Sequence, residues 1–393
     1  MRMMPMRMMM PRDRECRHKP VVYHILVTMR VVVDAVPLLI RSAGVKNYLY
    51  YWIGHLRRLA GAGSIRTFPP LGDLGPLTHE ASVAGPVRTF CGLGALALSN
   101  YTPLPVLDWA ARGADIFHAT NLVRHPPRRP RLTSTIHDMT SWMMPEMHSA
   151  ATRRADRASS ELLRRAHRLI AVSECTRRDA VRVLGIAPER ITVIYSGIPG
   201  KFFDVKPTAI ADVRARYQLK RPFVLALGAI EPRKNIPTLI DAFESLPDSL
   251  RAEFDLALAG PMGWADEATR ARVRSVRYLG YIPEADLAPL TAAATVFAYP
   301  SLYEGFGFPL AQAMAAGVPA VTSNVSSLPE IAGGAALLVD PRSVGELRGA
   351  IEKLLLSPSL RADLAIKGRA RARQFTWEAC AAKSLRFFEE AAS

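Results

Sequence analysis

Short apolar runs recur along this chain, each closed by a glycine, a proline or a polar turn and each followed by a longer amphipathic stretch. Val31-Val-Val comes first, an unbroken β-branched run of the kind a parallel strand buried on both faces requires. Further strands are expected at Asp115–His118, Leu132–Ile136, Arg168–Val172 and Ile191–Ile194, with helices opening at Gly44 and around Ala158–Ala166. The plan then restarts. Strands are expected at Pro222–Gly228, Phe254–Gly260, Val276–Gly280, Thr295–Tyr299, Pro319–Thr322 and Ala336–Val339, with a helix over Pro237–Leu246. Strands alternating with helices predict a parallel α/β sheet. The restart predicts two of them, as does the length of 393 residues. The turn-rich stretch 196–207, with Gly197, Pro199 and Gly200, is the expected linker. Ligands of open α/β sheets lie beyond the carboxyl ends of the strands, so the cleft between two such domains is the expected site.

Residues 1–28 follow neither period. Their Met- and Arg-rich run is expected to be a disordered tail or a mis-called start, with translation beginning at Met29. The formal charge of +16 favours anionic partners: nucleotides, nucleic acid or an anionic membrane surface. A GC-rich gene, coding for many arginines and alanines, would produce the same balance. The basic-aromatic motifs of nucleic-acid recognition are absent, which argues against that partner. Cys16, Cys91, Cys175 and Cys380 are scattered, without CxxC pairing, so neither a disulfide framework nor a zinc site is expected. No run reaches the roughly 18–20 apolar residues of a spanning helix, and Val21–Met29 ends at Arg30 without a small-residue cleavage pattern. A cytoplasmic protein is expected.

Four stretches carry chemistry. In Pro300-Ser-Leu-Tyr-Glu304-Gly-Phe-Gly-Phe-Pro a strand ends, a glycine loop turns, and a helix opens near Pro309. Free amides and a helix N-terminus make an anion site there, with Glu304 at its mouth to accept sugar hydroxyls. Gly228-Ala-Ile-Glu-Pro-Arg233-Lys234-Asn235 also follows a strand, and its adjacent cations suit a diphosphate, one as a fork and one as a point charge. Thr135-Ile-His137-Asp138 closes a strand in the first half. Ser42-Ala-Gly44 follows the first strand, where a backbone amide can approach phosphate. Each stretch taken alone also fits a bland reading: a solvated glycine turn, a basic turn, a structural histidine.

Together with DIFHATN, RLIAVSECTRRD, LALAGPMGW, YLGYIPEADLAPL and SLPEIAGGAALLVDP, these stretches resemble the family 4 retaining glycosyltransferases (glycosyl transferases group 1) over about residues 29–390. The resemblance implies a GT-B fold of two Rossmann-like domains: 29–203 on the acceptor side, 204–375 binding the donor nucleotide, and 376–393 a helix crossing back. It implies Arg233 and Lys234 on the donor diphosphate, Glu304 and His137 on the donor sugar, and Gly44 near the β-phosphate. Gly305, Phe306 and Gly307 would offer amides, and Gly280, Tyr281 and Ile282 would line the base pocket. It departs in two places: Gln312 stands where the family usually has a second glutamate for the ribose, and Ala229 stands where some members place an arginine. Gln312 weakens the hydrogen bonding expected there.

The expected activity is retaining transfer of a hexose, with a lean to mannose, from a GDP- or UDP-linked sugar to a saccharide or lipid-linked saccharide of a surface polysaccharide. No cofactor or metal is expected, because no DxD pair accompanies the motifs and protein cations take the metal's part. Arg124, Arg128, Arg129, Arg131 and the arginines of 153–165 are the expected contacts for an anionic inner-membrane face. The alternative is a catalytically weak GT-B partner or scaffold protein, for which Gln312 speaks.

Overall fold

The computed structural model describes residues 29–42 and 44–393. The expected start at Met29 concerns residues 1–28, which lie outside them. The chain forms two six-stranded sheets, every strand pair parallel.

In the first sheet the strands are β1 (Val31–Asp34), β2 (Ile65–Phe68), β3 (Ile116–Ala119), β4 (Arg131–Ile136), β5 (Arg168–Ala171) and β6 (Ile191–Val193), in the order β2-β1-β3-β4-β5-β6. The second contains β7 (Phe223–Leu227), β8 (Asp255–Ala259), β9 (Arg277–Gly280), β10 (Val296–Tyr299), β11 (Ala320–Ser323) and β12 (Leu337–Val339), in the order β12-β11-β10-β7-β8-β9. Strand β2 was not among the expected strands. Its sequence Ile-Arg-Thr-Phe is neither an apolar run nor an alternation, with polar Arg66 and Thr67 at its centre, and as an edge strand β2 leaves Arg66 only partly covered.

The helices that position the site are α1 (Gly44–Ala60), α2 (Pro86–Tyr101), α3 (Ala150–Arg165), α4 (Glu174–Leu184), α5 (Ile236–Glu244), α6 (Phe308–Ala315) and α7 (Trp377–Ala392). Side-chain hydroxyls start three of them: Ser149 accepts from Thr152 N, Ser173 from Thr176 N, and Thr376 from Ala379 N. Such caps satisfy amides that have no partner within the helix and contribute about 1 kcal/mol each. Helix α3 begins at Ala150, well before the expected Ala158, because its charged surface face carries no apolar period.

Helix α7 follows the second sheet in sequence but packs against α1 of the first. Trp52 Nε1 donates to Ser384 Oγ at 2.9 Å, and Trp377 and Phe388 are almost fully buried. A single apolar cluster therefore runs from β1 through α7 into the second sheet.

Candidate active site

Strands β7 and β10 pair side by side, yet the chain leaves them in opposite directions, to β8 and to β11. Helices on the two sides diverge at such a switch point and leave a crevice beyond the strand ends. Both cation and glutamate motifs begin there. Pro232–Lys234 forms one 3-10 turn and Asn235, at φ 57°, ends it. The two loops are tied together: Leu302 N donates to Arg233 O at 2.8 Å, and Asn235 Nδ2 donates to Pro300 O at 3.2 Å.

The charged groups converge on one atom. Glu304 Oε1 accepts from Arg233 Nη1 at 2.8 Å, from Lys234 Nζ at 2.6 Å and from Tyr299 Oη at 2.8 Å. Lys234 Nζ also donates to Tyr299 Oη at 2.5 Å. Arg233 Nε donates to Glu231 at 3.0 Å and Nη1 to Tyr303 O at 3.2 Å, so none of these bonds uses Nη2. Glu304 is 7% exposed. It is a buried anchor for the two cations rather than a residue at the mouth, and only Oε2 is left out of these bonds. Burial alone would raise its carboxyl, but Arg233 and Lys234 outweigh burial and hold it at about 2. Burial and the neighbouring Arg233 lower the Lys234 ammonium against the pull of Glu304. Burial also acts against the Arg233 guanidinium, yet Glu304 and Glu231 hold its charged form above the ordinary range.

Beyond Glu304 the chain turns through Gly305 and Gly307. Gly307 has φ 88° and caps α6, with Pro309 in its first turn. The amides of Gly305, Phe306 and Gly307 donate to no protein acceptor among the described residues. Gly305 is required for another reason: a Cβ there would stand 1.7 Å from the carbonyl oxygen of His137. The two domains touch at this point. Ser173, which caps α4, and Thr176 within it donate to Gly305 O at 2.6 and 3.2 Å. The Glu330 carboxylate accepts the first amides of α4, Glu174 N at 2.8 Å and Cys175 N at 3.1 Å. Tyr303 Oη donates to Asp179 at 2.6 Å.

A cleft of ≈ 420 Å³ lies between the domains. It brings together Gly44, His137, Arg233, Lys234, Tyr281, Ile282, Glu304, Gly305, Phe306, Gly307 and Gln312. Gly280 ends β9 just outside the lining, where its carbonyl accepts Gly260 N. The His137 ring packs edge-on against Tyr48, 4.8 Å between centroids, and burial lowers its pKa to about 4 despite Asp138 beside it. Gln312 is buried on α6. Sequence reasoning missed Tyr299, Tyr303 and the α4 hydroxyls. Tyr299 reads as an apolar strand end, and nothing local announces that its hydroxyl joins Lys234 to Glu304. Among the described residues no group of three or more His, Cys, Asp or Glu is placed to hold a metal, and no helix is long and apolar enough to cross a membrane.

Two parallel α/β domains facing across a cleft, with a cation-carboxylate cluster at the switch point of the second, define a glycosyltransferase of the GT-B fold. Residues 211–371 match the family described as glycosyl transferases group 1, and residues 43–200 match glycosyltransferase family 4. The O-antigen chain mannosyltransferase B of Escherichia coli is 35% identical over 291 residues, 72% of this chain and 76% of that protein. The serotype-specific mannosyltransferase WbdA of Escherichia coli is 30% identical over 224 residues, 54% of this chain but only 27% of its own length. The crystal structure of Anabaena HepE in complex with UDP and glucose superposes with a TM-score of 0.70 at 20% identity, covering 92% of this chain and 100% of that one. The chain belongs to the family 4, group 1 glycosyltransferases and is an enzyme of that class.

Proposed function

We propose that this enzyme is a retaining, metal-independent mannosyltransferase that uses a nucleotide-diphosphate sugar, with GDP-mannose the first choice, to extend a cell-surface polysaccharide. The observation that carries the reading is the Arg233–Lys234–Glu304 cluster beside the uncommitted amides of 305–307. Departure of a nucleoside diphosphate builds negative charge on the β-phosphate and positive charge at the anomeric carbon. Preorganised cations and amides that meet that charge are the strongest available lever. Arg233 Nη2, Lys234 and the start of α6 supply them, and Glu304 keeps both cations charged and oriented. His137 and Glu304 Oε2 would hold sugar hydroxyls, Gly44 would approach the β-phosphate, and Gly280, Tyr281 and Ile282 would border the base. Two relatives named as mannosyltransferases support the sugar, and the UDP in Anabaena HepE supports a nucleotide donor.

A second pocket of ≈ 230 Å³ adjoins His137 and lies within the first domain. Asp138, Ser141, Trp142, Thr152 and Asp156 line it, and among the described residues no arginine or lysine does. Hydroxyl-binding carboxylates beside an aromatic ring suit a neutral saccharide end, which is the acceptor we assign to it. Domain closure over both pockets would keep water from the donor.

Thermal-shift measurements against UDP-, GDP- and ADP-sugars without added metal test the reading. Stabilisation by GDP-mannose that Lys234→Ala abolishes is expected, with an α-linked product by NMR. A buried Gln312 keeps the scaffold reading alive: no shift and no transfer with any donor would put it ahead.

A further inference from the structure

Helix α2 is mostly apolar, and among the described residues only one of its faces has a protein partner. Gly92, Ser99 and Asn100 are buried, and Leu93, Ala95 and Leu96 pack on the core of the first domain. On the opposite face Val87, Phe90, Leu98 and Tyr101, with Gly94 at the position between Phe90 and Leu98, share one helical stripe and are 76, 81, 46 and 71% exposed. Cys91 and Ala97 lie on the same exposed side. Leu104 and, on the short helix Val106–Ala110, Trp109 continue the stripe at 46 and 64% exposed. A solvated helix face would carry charged residues at these positions, and exposed apolar stretches this continuous mark interaction surfaces.

The charges around the stripe say which surface. Helix α2 has no acidic residue and carries Arg88. Arg124 lies over the Tyr101 ring at 4.8 Å. Its loop is fastened to α2 by Asn100, which donates to Leu122 O and accepts Arg124 N, both at 2.9 Å. Arg112, Arg128 and Arg129 are exposed around the same helix pair, and the one acid on it, Asp108, accepts Arg128 N. An aromatic-aliphatic stripe rimmed by arginines matches an anionic lipid surface, whose headgroups meet the cations while the acyl boundary takes the rings. We infer that α2, the Val106–Ala110 helix and the 122–129 loop dock the enzyme on an anionic membrane, with Phe90, Tyr101 and Trp109 in the interface.

The placement keeps Arg124, Arg128 and Arg129 of the contacts expected from the sequence but not the arginines of α3. Helix α3 has basic residues but none of the exposed large apolar side chains, so it has no insertion face. Resting on the acceptor assignment above, the surface also lies well: Asn121, in the acceptor-side pocket, directly precedes the loop that α2 holds. A lipid-linked acceptor would then reach the pocket from the plane in which its lipid lies.

Co-sedimentation of the full chain with phosphatidylglycerol–phosphatidylcholine vesicles, against phosphatidylcholine alone, tests the inference. Binding to the anionic vesicles should fall at least tenfold in Phe90→Ser/Trp109→Ser and in Arg124→Glu/Arg128→Glu. Melting temperature and light-scattering mass of both variants should stay at the wild-type values, which separates lost docking from lost folding. Cys91, followed by peptide mass, should be shielded from a water-soluble maleimide only when anionic vesicles are present. Equal binding to both vesicle types, or binding that both variants retain, overturns the inference. So does a wild-type dimer that Phe90→Ser/Trp109→Ser converts to monomer, since a second copy would then own the stripe. Loss of GDP-mannose binding in the earlier test leaves these outcomes untouched.

Discussion

Three donors meeting at one oxygen of Glu304 make that carboxylate the most sensitive group in the second domain. In Glu304→Gln the charge that holds two buried cations disappears while the shape stays. Leaving buried charge uncompensated costs about 3–5 kcal/mol, so the urea midpoint of Glu304→Gln should drop by that equivalent. Transfer should fall with it by at least about 100-fold, the usual scale of losing a preorganised electrostatic group. Wild-type stability with lost activity would instead place Glu304 in substrate binding alone. At this scale the sequence was legible in part. Arg233, Lys234 and Glu304 stand at strand ends in recognisable spacing, but their bonding to one another joins residues about seventy positions apart and no local pattern encodes it. Tyr299 was invisible for the same reason.

Among the elements, the turn 305–307 works on both domains at once. It starts α6 in the second and lies against the His137 carbonyl and the α4 hydroxyls of the first. In Gly305→Ala the added methyl meets the His137 backbone, which cannot move as a flexible side chain would. The variant should stay folded but hold its domains apart: small-angle scattering should report a larger radius of gyration, with transfer reduced by two orders of magnitude or more. Unchanged dimensions and activity would show that this contact does not set closure. Helix α2, like strand β2, is an element that pattern reading passed over. Apolar residues on both faces erase the 3.6-residue alternation on which helix recognition depends, and the exposed face is apolar for a reason outside the fold.

For the whole molecule the acid side is where stability should fail first. His118 is 1% exposed, bonded to Thr133 and Thr135, and burial lowers its pKa to about 3. His137 is lowered to about 4. Both rings stay neutral in the folded chain while the unfolded chain takes up protons below about 6.5, so stability falls as pH drops from there towards 4 and 3. Asp34 acts in the opposite sense: burial raises it to about 6, so its protonation between about 6 and 3.8 favours the folded state. Glu304 adds a loss only below its unfolded value near 4.5. At about 1.4 kcal/mol per unit, two histidines outweigh one aspartate. Urea unfolding at pH 5 should give about 2–3 kcal/mol less stability than at pH 7. A pH-independent midpoint over that range would mean that the histidines do not carry the balance.

Strand runs, glycine turns and the restart of the plan determined the fold class, because parallel strands buried on both faces must be apolar and their turns must be tight. The same local chemistry marked which turns hold cations, a carboxylate and free amides. Tertiary structure alone decided that β7 and β10 lie together, so that two distant turns share one oxygen of Glu304. It alone decided that Trp52 of α1 meets Ser384 of α7 and that the His137 carbonyl rests on Gly305. These are contacts between segments far apart in the chain, chosen by the burial of whole faces, and no short stretch of residues contains the energy that selects them.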